Sequence, residues 1–294
     1  MSVTAEAVKQ LRERTGAGMM ECKKALLESN GDLDAAAELM RKQGLAKADK
    51  KATRIAAEGV IAIAEDAERR LAAMVEVNCE TDFVAREADF SAFAAQVARA
   101  ALLANPVSLD ALLATVLPDG ATVDERRRAL VAKIGENIAV RRFARLAADD
   151  VLGTYVHGTR VGVMVALRGG DAVLARDIAM HIAASQPRYL SFADVPAAEL
   201  AKEREILTER ARHSGKPADI VAKMVEGQLR KAVNEMTLLG QPFVKNPEQT
   251  VEQLLRAAGA QVVAFERFEK GAGIEKRSGD FVGEVMAQVK ASSK

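Results

Sequence analysis

The chain has 294 residues, 49% of them hydrophobic, so it can bury a core and favours about two domains at roughly 150 residues each. Lys plus Arg is 42 and Asp plus Glu is 41, a net charge of +1 without the cationic excess that binding a phosphate backbone requires. Aromatics make up 4%, with no Trp, too few for a sugar cleft or a base-stacking platform.

No apolar run approaches the ~18 residues of a membrane span. The start, MSVTAEAVKQLRERTG, has charges where a signal peptide has an apolar stretch. Cys22 and Cys79 are too few for a metal cluster or a disulfide framework, which points to a reducing cytoplasmic compartment. With only His157, His181 and His213, zinc and His-relay chemistry are poorly supplied. No metal, cofactor or membrane is expected, and no direct nucleic-acid partner.

The first 45 residues read as three short helices. Thr4 caps a helix carrying Val8 and Leu11 that stops at Gly16. A second runs through Met19, Met20, Cys22, Ala25 and Leu26 to Asn30-Gly31. A third starts at Asp32, carries Leu33, Ala36, Ala37 and Met40, and is expected to end at Gly44. Lys47 to Lys51 then reads as a linker or a helix end.

The hydrophobic period then changes. Gly59–Ile63 and Leu71–Val77 read as a strand hairpin, 88–103 and 123–133 as helices, and Ile138–Phe143 as a third strand. The series returns with strands from Gly153 and Val161, helices at 174–185 and 251–258, and a closing strand at 261–268. "IGENIAVRRF" and "AGAQVVAFERF" align with a slip of one residue. The fold class is therefore α+β, with two related modules, each a small antiparallel sheet covered by helices. Between Pro196 and Pro242 lies an insertion, 196–241, which reads as an antiparallel helical hairpin turning at Ser214-Gly215-Lys216-Pro217. Its apolar stripe packs either on its own domain or on another molecule, a second copy included. The tail helix carries Phe281, Val282, Val285, Met286 and Val289 on one face, suited to docking on a partner.

Catalytic constellations are absent. There is no G-x-x-x-x-G-K-[ST] and no G-x-G-x-x-G at a strand-to-helix turn. Cys79 with His157 is a conceivable nucleophile pair, but a lone Cys at a strand end is more often a small buried hydrophobe. The segment that breaks local rules is Asn78-Cys79-Glu80-Thr81-Asp82-Phe83-Val84-Ala85-Arg86. Either Phe83 folds into the core with Asp82 as a helix cap, or both project outward and need a partner to cover the ring.

"LRERTGAGMMECKKAL", "VNCETDFVAR", "LVAKIGENIAVRR", "HGTRVGVMV", "AMHIAAS", "SGKP…KMVEGQL", "GQPFV" and "FERFEKGAGIEK" follow one another along nearly the whole chain. Together they resemble the elongation factor Ts family, exchange partners of the GTPase elongation factor Tu. The resemblance implies a ubiquitin-associated-like (UBA-like) three-helix N-terminal domain at 1–51, a core of two related subdomains at 54–149 and 150–268, a coiled-coil or dimerisation hairpin at about 196–241 and a C-terminal module at 271–294. It implies GDP release without covalent chemistry, and so no catalytic residue. It assigns Thr81, Asp82, Phe83 and Val84 to a segment that intrudes near the partner's Mg²⁺, and it favours the outward reading of Asp82 and Phe83. Further contacts implied are Leu11, Arg12, Met19 and Met20, the loop at His157 and Gly158, and the tail at Phe281 and Val285. For Leu11 and the methionines, bundle core is the competing reading; for the loop, a plain turn. The competing function is a non-enzymatic module that binds a peptide or a ubiquitin-like protein through the N-terminal bundle.

Overall fold

The computed structural model describes residues 3–68, 70–212 and 217–275, with only the backbone described at 45–47. The fold is α+β. Three helices open the chain: α1 (Ala5–Thr15), α2 (Met19–Glu28) and α3 (Leu33–Lys51). Thr4 caps α1 by accepting the Ala7 N–H, and Asp32 caps α3 by accepting from Asp34 and Ala35. Val8, Leu11, Cys22, Ala25, Leu26 and Ala36 form their shared core.

Helix α3 does not stop at Gly44. A Cβ on Gly44 would lie 3.1 Å from the Ala132 Cβ, so the glycine marks close helix packing rather than a helix end. Seven further residues continue the helix, and Ala48 is buried in the core of the first sheet module. That packing outweighs the roughly 1 kcal/mol that a helical glycine costs relative to alanine.

Next come β1 (Glu58–Asp66), β2 (Leu71–Cys79), α4 (Asp82–Ala85), α5 (Ala88–Ala104), α6 (Leu109–Ala114), α7 (Val123–Ile134) and β3 (Ile138–Ala147). The second half has β4 (Val151–His157), β5 (Val161–Arg168), α8 (Ala172–Ser185), α9 (Ala197–Arg212), α10 (Ala218–Met236), β6 (Pro242–Phe243), β7 (Asn246–Thr250), α11 (Val251–Ala257) and β8 (Gln261–Glu269). The larger sheets have the orders β1-β2-β3 and β4-β5-β8, and all of their pairings are antiparallel.

The two sheets meet through Ile61, Ala72, Met74, Met164 and Phe268. A Cβ on Gly162 would lie 2.5 Å from the Ile61 Cγ2, so a larger residue there would push the sheets apart. On their outer faces α5 covers the first sheet and α8 the second. Each central strand is buried on both faces, which is why Leu71–Val77 and Val161–Leu167 read as continuous apolar runs.

The likeness of the halves extends to an irregularity. Pairing shifts between Glu76 and Val77 in the first sheet, and between Ala166 and Leu167 in the second. The first strands align less simply. Gly59 pairs with Asn78 at the start of β1, whereas Gly153 pairs with Val165, so the two glycines are not equivalent in register. Each has its own cause. A Cβ on Gly59 would collide with the Val77 carbonyl, and one on Gly153 would meet the Ala175 backbone at 2.6 Å.

Helices α9 and α10 form the inserted hairpin. Leu207, Ala211, Val225, Leu229 and Val233 bury one another along it, together with Val195 at its base. Most of the apolar stripe is thus consumed within the chain, while Ile206 and Ile220 stay exposed. The turn at 213–216 lies outside the described residues. Among the described residues, no helix is long and apolar enough to cross a membrane.

Candidate functional site

The site is built where β2 ends. Thr81 leaves the strand in extended backbone and caps the four-residue α4, its hydroxyl accepting the Val84 N–H at 3.4 Å. Thr81, rather than Asp82, is therefore the cap. One helical turn spreads its side chains around the axis. Val84 and Ala85 turn into the core of the first module. Phe83 turns the other way and is 78% exposed. A ring this open adds little to the chain's own core and is left for another molecule to cover. Val84 is accordingly corrected from a direct contact to an anchor of the segment.

Beside the ring, the Asp82 carboxylate accepts from the Arg86 guanidinium at 2.8 Å, with both side chains reaching solvent. Exposed pairs of this kind contribute about 0–1 kcal/mol, so Asp82 can leave Arg86 for another partner at little cost.

The segment is tied down from a distant stretch of chain. The Glu136 carboxylate, just after α7, accepts the N–H groups of Glu80 and Thr81 at 3.1 and 3.0 Å and the Thr81 hydroxyl at 2.6 Å. In return, the Glu80 carboxylate accepts the Asn137 N–H at 2.6 Å. The Asn137 side-chain amide donates to the carbonyls of Ala52 and Arg54, in the connection from α3 to β1. The Lys51 ammonium donates to the Gly135 carbonyl. Gly135 itself ends α7 in a left-handed conformation. The signal for the rest lay in two polar residues, Glu136 and Asn137, ahead of a buried strand, where they need partners.

Cys79 offers no nucleophile. It is fully buried, its thiol donates to the Thr81 carbonyl at 3.1 Å, and burial followed by the Glu136 charge pushes its pKa up to about 12. His157 is exposed and shares a hydrogen bond with the Tyr155 hydroxyl. Among the described residues, no group of three or more His, Cys, Asp or Glu could hold a metal ion.

The remaining candidates separate by burial. Leu11 is fully buried among the bundle helices, so its reading as a contact is corrected to core. Arg12 is exposed, as are Met19 at 59% and Met20 at 73%. His157 and Gly158 lie at an exposed hairpin turn, where Gly158 takes the positive φ that tight turns favour. This turn also joins the halves, because the Thr159 carbonyl accepts the Ile61 N–H at 2.9 Å. Phe281 and Val285 lie outside the described residues.

A second polar cluster closes the core. Glu76 is fully buried in β2 and accepts from Arg141, Arg142 and the Gly271 N–H. Burial pushes its pKa upward, but the Gly271 N–H and the two guanidiniums together hold it below the ordinary value of 4.5. Arg142 also lies over the Phe268 ring, 4.2 Å from its centroid. Through these contacts the end of β8 is fastened to the first module.

Comparison with known proteins places this architecture. The profile described as Elongation factor TS matches residues 80–272. The chain is 60% identical over 293 residues to Elongation factor Ts of Methylococcus capsulatus, covering 99% of this chain and 100% of that protein. It is 59% identical to Elongation factor Ts of Thioalkalivibrio sulfidiphilus over 99% and 100% of the two chains. It is 55% identical to that of Idiomarina loihiensis over the whole of both. The protein is thus a translation elongation factor. The chain belongs to the elongation factor Ts family.

Proposed function

We propose that the chain binds elongation factor Tu in its GDP form and promotes GDP release, and so exchange for GTP, by disrupting the partner's Mg²⁺ and phosphate site. The observation that carries this reading is the exposed Phe83 beside a weakly held Asp82, on a turn anchored at both ends. A translational GTPase holds its nucleotide through a phosphate loop and a Mg²⁺ bridging phosphate oxygens. Phe83 enters between partner helices and displaces the elements that support the metal. Asp82 brings a carboxylate into the polar network around the Mg²⁺ and favours the metal-free state. Thr81 and Val84 hold the turn that presents them.

The thermodynamics require no covalent step. A protein that binds the nucleotide-free GTPase best must weaken nucleotide binding by the same factor by which nucleotide weakens its own. Each tenfold change needs about 1.4 kcal/mol of differential contact. Arg12, Met19 and Met20 supply a second contact on the partner's GTPase domain, and His157 and Gly158 one on its C-terminal β-barrel domain. The packing of α3 on α7 and its bond to Gly135 support a bundle that works docked on the core rather than as a separate binding module. Release of a fluorescent GDP analogue from elongation factor Tu tests the proposal: the chain is expected to accelerate it, and release at the spontaneous rate would refute it.

A further inference from the structure

A wedge works only if its mount does not yield. The helix beneath Phe83 has four residues, and a single turn has no stability of its own. Val84 and Ala85 anchor its far side in the core and the Cys79 thiol reaches the Thr81 carbonyl, but neither contact holds the Glu80 and Thr81 N–H groups at its leading end. That end is where Glu136 acts. Its Oε2 accepts both successive backbone N–H groups and its Oε1 accepts the Thr81 hydroxyl, so one carboxylate fixes backbone and cap together. Hydrogen bonds to a carboxylate are stronger than neutral ones and more demanding in geometry. The reciprocal bond from the Asn137 N–H to Glu80 stops the pair from sliding. Asn137 is itself buried and bonded to the connection leaving α3.

We propose that Glu136 is a positioning residue for nucleotide exchange: its carboxylate sets the direction in which Asp82 and Phe83 leave the surface, and it acts on the partner only through them. The inference rests on the reading of Asp82 and Phe83 given under Proposed function. A role confined to stability does not account for the pattern. The bonds Glu136 makes run to the half-exposed leading end of α4, not to the sheet or to the bundle. Without them, the N–H groups can turn to water and the segment can move while the core stays packed.

The test uses the full chain, intact elongation factor Tu and a fluorescent GDP analogue. Glu136→Ala is expected to slow release at a saturating concentration of the chain on the order of tenfold to a hundredfold, as for other groups displaced by an ångström. Glu136→Asp keeps the charge but shortens the reach; it is expected to slow release as well, and it carries the test if the alanine variant does not fold. The decisive readout is non-additivity. Added to Asp82→Ala/Phe83→Ala, either Glu136 substitution is expected to slow release no further. A wild-type release rate for the Glu136 variants overturns the proposal, and so does an equal further loss in the background lacking Asp82 and Phe83. Failure of the function reading is distinct: there, either the unsubstituted chain does not accelerate release, or Asp82→Ala/Phe83→Ala releases as fast as the unsubstituted chain.

Discussion

Phe83→Ala separates folding from function at a single ring. Full burial of a Phe side chain contributes about 1.5–3 kcal/mol. Phe83 is 78% exposed, so about a fifth of that, about 0.3–0.7 kcal/mol, supports the fold and is lost on truncation. The other four fifths, about 1.2–2.4 kcal/mol, becomes available only when another protein covers the ring. At 1.4 kcal/mol per decade, this predicts about 7- to 50-fold weaker binding of the nucleotide-free GTPase, and slower GDP release with it. The assay pairs stopped-flow release of a fluorescent GDP analogue with urea unfolding of the free chain. The variant should unfold within about 0.7 kcal/mol of the parent and exchange far more slowly. A stability loss above about 2 kcal/mol with unchanged exchange would show that the ring serves the core, and would refute the reasoning.

Leu11→Ala should behave in the opposite way, destabilising the N-terminal bundle by about 2–5 kcal/mol in thermal or urea unfolding, because Leu11 is fully buried. Both cysteines are buried and the Cys79 thiol is raised to about 12, so the folded chain should resist a thiol reagent at neutral pH and react at both sites only in denaturant. Glu76→Ala should cost about 2–3 kcal/mol at neutral pH, less than a fully buried ion pair because Arg141 and Arg142 reach solvent. The pH dependence has a fixed sign. With the folded Glu76 held below 4.5, its stabilisation is complete above 4.5 and is lost as pH falls through the folded value. Urea midpoints followed into acid should therefore converge for the parent and Glu76→Ala.

The elements legible in the sequence were those whose pattern is local. Thr4 and Asp32 announce their helices by capping chemistry, and Leu71–Val77 and Val161–Leu167 announce central strands because both faces are buried. What stayed hidden depends on distant partners. Gly44 reads as a stop until α7 lies against it. The six residues of α6 and the two of β6 are too short to show a period. At the site, "TDFV" stands out as a rule-breaking segment, but chemistry alone left the direction of Phe83 open, because a four-residue turn can face either way. The bonds that Glu136 accepts span 55 and 56 residues, a separation that spacing along the chain cannot reveal.

The most direct test of the account compares the affinity of the chain for elongation factor Tu with and without bound GDP, by calorimetry at one Mg²⁺ concentration. Tighter binding to the empty GTPase, by at least about tenfold, is predicted, and this difference should shrink in Asp82→Ala/Phe83→Ala. Equal affinity for the two forms would contradict the account, since a protein that does not distinguish them cannot shift nucleotide binding however tightly it holds.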